Sequence, residues 1–210
     1  PYVLPLLLPV LNKSLPKLKI EFRELQTSEI IQSLKRDEID LGILALSLNE
    51  PKITERPLFW EPFSVVCSKK HPLSQNKKVR QQDISTDGLW LLEEGHCLRN
   101  QVLDLCSIKN RRNFQGQFRF ESGSIETIKN LVNTIGGYTL VPQLATHSLG
   151  DQSVLLAFDK PVPARQIGLV MMREHLKTEL INAFENQILQ SIPAYLKQLK
   201  KRDLDVLPID

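Results

Sequence analysis

Leu4, Leu7, Leu8, Leu11 and Leu15 recur at helical spacing up to Pro16, and the pattern then changes period. Leu18-Lys19-Ile20-Glu21-Phe22-Arg23-Glu24-Leu25 alternates strictly, which predicts a strand with one polar face. Thr27 or Ser28 can cap the next helix, with Glu29 in its first turn and Ile30, Ile31 and Leu34 on its buried side. Ile39 to Leu46 follows as a short, nearly continuous apolar strand. Strand, helix and strand in this order predict a parallel sheet with helices on both faces.

A similar succession occupies the rest of the chain. Phe63-Ser64-Val65-Val66-Cys67 reads as an apolar strand ended at His71-Pro72, and Leu89-Trp90-Leu91-Leu92 is strand-like. Leu98 to Leu105 has helical spacing, and Ser124 caps a helix over Ile125 to Thr134 that Gly136-Gly137 ends. Tyr138 to Pro142 and Ile167 to Met172 read as strands. Leu176 to Leu199 reads as a long amphipathic helix interrupted near Pro193. The fold class is therefore α/β in two similar halves, an arrangement that binds ligands at strand ends and between halves.

Composition narrows the class without naming a function. With 210 residues and 41% apolar content, the chain is an ordinary soluble globular protein with room for one sizeable domain or two small ones. Basic residues outnumber acidic ones only 27 to 24, and runs such as Lys77-Lys78-Val79-Arg80 and Arg111-Arg112 are short, which argues for solvated faces rather than a nucleic-acid patch. The apolar opening is too short to span a bilayer and lacks signal-peptide flanks, so no membrane partner is expected. A start at Pro1 without methionine reads as a fragment of something longer. Three cysteines make no secreted disulfide framework, and the expected compartment is a reducing cytoplasm.

Two of those cysteines, Cys97 and Cys106, stand nine positions apart, the first beside His96 and Arg99. They admit three readings: buried core thiols, metal ligands, or a reacting pair. No Cys-x-x-Cys or His-x-x-x-His occurs and His71, His147 and His175 are scattered, so neither a metal nor any other cofactor is expected. Hydrolase, phosphate-loop and dinucleotide motifs are absent. Cys67, within an apolar strand, reads as core.

Leu4-Pro5 with Leu8-Pro9, Leu15-Pro16, Leu34 followed by Ile39-Asp40 and Ile43, His71-Pro72-Leu73 and Gly137-Tyr138-Thr139-Leu140-Val141-Pro142 together resemble the effector domain of LysR-type transcription regulators. Asp37 departs from the pattern, standing where the family usually has glycine. Gly95-His96-Cys97-Leu98-Arg99-Asn100-Gln101 with Cys106, supported by Gln26-Thr27 and Arg165-Gln166-Ile167, is similar to the peroxide-sensing members of that family. The resemblance implies two Rossmann-like, periplasmic-binding-protein-like subdomains. Residues 1–59 with 167–210 would form the first, and residues 60–166 the second, carrying the redox cysteines.

The same resemblance implies a regulator rather than an enzyme, with hydrogen peroxide as its signal. Cys97 is then the peroxide-reactive thiol and Cys106 its resolving partner, with Thr27, His96, Arg99 and Arg165 as ligand-binding residues. Arg99 and a strand-to-helix transition would lower the thiol pKa, Gly95 would let the backbone turn, and His96 and Thr27 would hydrogen-bond peroxide. Without the resemblance, Arg99 and Arg165 read equally as ion-pair partners, His96 as a structural histidine and Thr27 as a plain helix cap. Implied partners are a second copy of this domain, a tetramer of the full protein, DNA through an N-terminal domain absent from this chain, a thioredoxin or glutaredoxin-type reductant, and RNA polymerase.

Spacing sets a condition on the pair. Were residues 97 to 106 one helix, their Cα atoms would lie roughly 13 Å apart on opposite faces. A disulfide needs about 7 Å or less, so its formation would have to refold the segment. Two rival functions remain open: a regulator domain that binds a metabolite without redox chemistry, and a two-cysteine thiol peroxidase, whose usual Pro-x-x-x-Thr-x-x-Cys motif does not precede Cys97.

Overall fold

The computed structural model describes residues 1–94, 96–105, 114–115, 118–119, 122–172 and 178–207. The chain divides into two units, Pro1–Trp60 with Gln166–Leu199 and Glu61–Arg165 with Lys200–Asp210.

In the first unit the leucine periodicity forms α1 (Val3–Ser14), which buries Leu7 and Leu11 and packs on α5 (Thr178–Ser191). Ser14 Oγ donates to Gln187 Oε1 at 2.9 Å across that contact. α2 (Thr27–Lys35) is capped by Gln26, not by Thr27 or Ser28: Glu29 reaches back to the Gln26 backbone N–H at 2.8 Å, closing a capping box one residue earlier than the sequence suggests. Leu34 of α2 packs with Leu44, Leu46, Ile53 and Val170 to form the core. Gly42 permits this closeness, because a Cβ there would lie 2.6 Å from Ile30 and 2.8 Å from Val170. A short α6 (Ala194–Lys197) follows the break at Pro193.

Two expectations fail here. Residues 18–25 form no strand: Leu18 and Phe22 are exposed, and among the described residues no ladder pairs with the segment. Alternation supplies two faces but not a partner, and an unpartnered strand has no ladder to hold it. The sheet is also mixed rather than parallel. β1 (Gly42–Ala45) pairs antiparallel with β8 (Val162–Met172), matching Gly42 with Val170 and Ala45 with Ile167.

In the second unit, the far end of β2 (Ile53–Ser68) pairs antiparallel with β6 (Tyr138–Pro142) on one side and β7 (Ser153–Phe158) on the other. β3 (Lys78–Val79) joins β7 in parallel, and β4 (Phe114–Gln115) and β5 (Phe118–Arg119) form a separate hairpin. β9 (Leu204–Val206) pairs in parallel with the start of β8, and Gln81 donates to Asp205 at 2.8 Å. Residues 200–210, assigned by sequence to the first subdomain, thus group with the second unit; a three-residue strand after a helix leaves little pattern to read. α3 (Cys97–Leu105) and α4 (Ile125–Thr134) stand as expected. Ser124 Oγ accepts the Thr127 N–H at 3.3 Å, and Gly136 and Gly137, at φ 115 and 80, turn the chain into β6. Among the described residues, no helix is long and apolar enough to cross a membrane.

Candidate functional site

The residues leading to Cys97 are fastened to β6 rather than forming a strand of their own. Tyr138 N–H donates to Gly88 O, Trp90 N–H to Tyr138 O, both at 2.8 Å, and Thr139 Oγ1 to Trp90 O at 2.9 Å. The Glu93 N–H then donates to Ser122 O at 3.0 Å, next to the cap of α4. This run of extended backbone delivers the chain to α3 with Cys97 as its first residue.

The described cysteines differ in environment. Cys67 lies fully buried in β2, and desolvation pushes its thiol up to about 11. Cys97 is partly exposed as the first residue of α3. Cys106 and Gly95 lie outside the described residues.

His96 precedes the helix, its carbonyl accepting the Arg99 N–H at 2.9 Å and its Nε2 standing 3.5 Å from Glu93 Oε1. Arg99 turns inward: its side chain is 4% exposed, and Nη1 donates to the buried Leu92 carbonyl. It therefore braces α3 against the preceding extended segment. Arg165 is held by Glu61, with Nε and Nη2 donating to the same carboxylate oxygen at 2.9 and 2.7 Å. Thr27 is the first residue of α2 in the other unit. The structure thus gathers His96, Cys97 and Arg99 around the start of α3.

Three further residues escape the sequence reading. Glu61, only 2% exposed, offers one oxygen to Arg165 and the other to the Leu144 N–H at 3.1 Å, yet nothing in Trp60-Glu61-Pro62 signals it. Glu93 stands within ion-pair reach of His96. Gln101 is fully buried, and among the described residues neither its Nε2 nor its Oε1 has a hydrogen-bond partner. A buried amide left unpaired costs about 1–3 kcal/mol, and four residues past Cys97 it shares that residue's side of the helix. A polar residue on the buried face of a helix was its available signal.

Residues 1–193 match the family model for the LysR substrate binding domain. The chain is 36% identical to the DNA-binding transcriptional dual regulator OxyR of Escherichia coli over 172 residues, covering 81% of this chain and 55% of that protein. It spans about half the length of the relatives it matches. Crystallised OxyR from Porphyromonas gingivalis superposes with a TM-score of 0.86 at 28% identity, covering 99% of this chain and 94% of that one. A hydrogen-peroxide-bound OxyR mutant from Corynebacterium glutamicum gives 0.79 at 26%, covering 91% of this chain and 61% of that one. The periodic α/β pattern, the two units and the Cys97 motif lead to one assignment: the chain belongs to the LysR substrate-binding-domain family, with OxyR regulatory domains among its structural relatives.

Proposed function

We propose that this chain is the peroxide-sensing regulatory domain of a transcription regulator, and that Cys97 is the residue that reads the signal. The observation that carries the reading is the contrast between the two described thiols: Cys67 is sealed and held protonated, whereas Cys97 is accessible at the start of α3. The peroxide-bound relative supports hydrogen peroxide as the ligand class.

The Cys97 thiolate attacks one peroxide oxygen, the O–O bond breaks, and the departing hydroxide takes a proton to leave as water, giving a sulfenic acid. The Cys106 thiolate then attacks the oxidised sulfur, an S–S bond forms and the S–O bond breaks, releasing a second water. Two thiols have lost two electrons to one peroxide; a thioredoxin or glutaredoxin-type dithiol returns them. His96 and Arg165 are the candidates for holding peroxide.

Closing the disulfide refolds α3, and the refolding is the output, passed to the pairing of these domains within a tetramer and so to DNA and RNA polymerase. DNA contact belongs to a segment outside this chain. The domain consumes one peroxide per cycle as a cytoplasmic regulator and is not built for turnover.

The test is the Cys106→Ser protein under equimolar hydrogen peroxide and dimedone. The adduct is expected on Cys97 and absent from Cys67; an unlabelled Cys97 refutes the reading.

A further inference from the structure

Glu93 and His96 meet over a glycine. Glu93 Oε1 lies 3.5 Å from His96 Nε2, and both atoms sit directly above Gly123: a Cβ at that position would stand 2.8 Å from the carboxylate oxygen and 2.9 Å from the imidazole nitrogen. Any side chain at 123 would therefore crowd both atoms. The three residues are held from separate directions. Glu93 is anchored by its N–H on Ser122 O at 3.0 Å, His96 by its carbonyl on the Arg99 N–H, and the 122–124 turn by Ser124 N–H on Ser122 Oγ at 3.1 Å and by the α4 cap.

A carboxylate accepts hydrogen bonds and donates none, and a neutral imidazole carries one N–H. In the neutral ring, attraction to the Glu93 carboxylate favours the proton on Nε2, which leaves Nδ1 as the acceptor. Setting one histidine nitrogen by a carboxylate on the other is a general means of fixing both tautomer and ring direction. Here the histidine so fixed is the chain neighbour of the half-buried Cys97.

We infer that Glu93 is a positioning residue for the Cys97 reaction, holding His96 as its Nε2–H tautomer across the gap that Gly123 leaves open. The inference rests on the reading of Cys97 as the peroxide-reactive thiol, but its first readout does not. Gly123 is part of the device: an added methyl would meet only the far ends of two flexible side chains, so it would part them without disturbing backbone.

The test combines imidazole nitrogen NMR of the reduced domain above the titration range of histidine, with His96 assigned by its loss in His96→Asn, and the rate of Cys97 oxidation by hydrogen peroxide. In the unaltered protein His96 should show a protonated Nε2 and a bare Nδ1. Glu93→Ala and Gly123→Ala should lose that tautomer bias and slow oxidation about tenfold, the scale expected when a reacting group is allowed to drift. Glu93→Gln should keep both properties, because its carboxamide oxygen still accepts. If His96 holds the Nε2–H tautomer in Glu93→Ala, the inference is wrong. It is also wrong if the tautomer changes while oxidation keeps its rate. If the tautomer follows Glu93 but Cys97 does not react in the unaltered protein, the peroxide reading fails instead, and with it the catalytic purpose given to Glu93.

Discussion

Cys97 and Leu105 are the first and last residues of one unbroken helix. Eight helical steps separate their Cα atoms by about 12 Å, and the next Cα in a chain lies only about 3.8 Å further on. Wherever the following residue points, its Cα stays at least about 8 Å from that of Cys97, beyond the roughly 7 Å a disulfide spans. A bond from Cys97 to Cys106 therefore requires α3 to open. The helix resists opening because Leu98, Val102, Leu103 and Leu105 are buried and Arg99 is tied to Leu92. Each such apolar side chain stabilises the helical state by roughly 1.5–3 kcal/mol.

The pair of Glu61 and Arg165 should be a structural weak point when halved. Glu61→Ala leaves a guanidinium and the Leu144 N–H without their carboxylate, a loss expected to cost about 3–5 kcal/mol in denaturant unfolding. Adding Arg165→Ala to that variant should cost much less than Arg165→Ala alone. Additive losses would show that the two side chains do not act together.

His71 should make stability fall on mild acidification. Its ring packs on Tyr138, its Nδ1 accepts the Leu73 N–H at 3.3 Å, and burial lowers its pKa below 6.5, against an opposing pull from Asp87. The unfolded chain then takes up this proton at higher pH than the folded one. Stability falls as pH drops through about 6.5 and levels off below the folded value. His71→Asn should flatten that part of the pH–stability curve; an unchanged slope would assign it to another group.

Asp37 occupies the left-handed region at φ 58. Aspartate tolerates this conformation and a β-branched residue does not, so Asp37→Val should destabilise the domain by about 1–2 kcal/mol while Asp37→Gly should not. Equal effects would mean that the side chain, not the backbone, matters there. The same angle accounts for the family's glycine at this position.

What could be read from sequence was set by local physics. α3 and α4 follow from periodicity, the start of α4 from Ser124 and its end from the two glycines. Strand direction does not follow, because residues 42–45 show the same apolar run whether β8 lies parallel or antiparallel to them. The segment 18–25 has the right alternation but, among the described residues, no strand partner. The Cys97 motif marked where to look, whereas Glu61 and Gly123 acquire meaning only from residues distant in the chain, Arg165 for the first and the Glu93–His96 contact for the second.

The most direct measurement is the intact mass and peptide map of the domain after one equivalent of hydrogen peroxide, followed by circular dichroism. The account predicts the loss of two hydrogen atoms, a single peptide pair joining Cys97 to Cys106, and a fall in helix content that a dithiol reverses. A Cys97–Cys106 bond formed with helix content unchanged, or both thiols surviving the treatment, would contradict it.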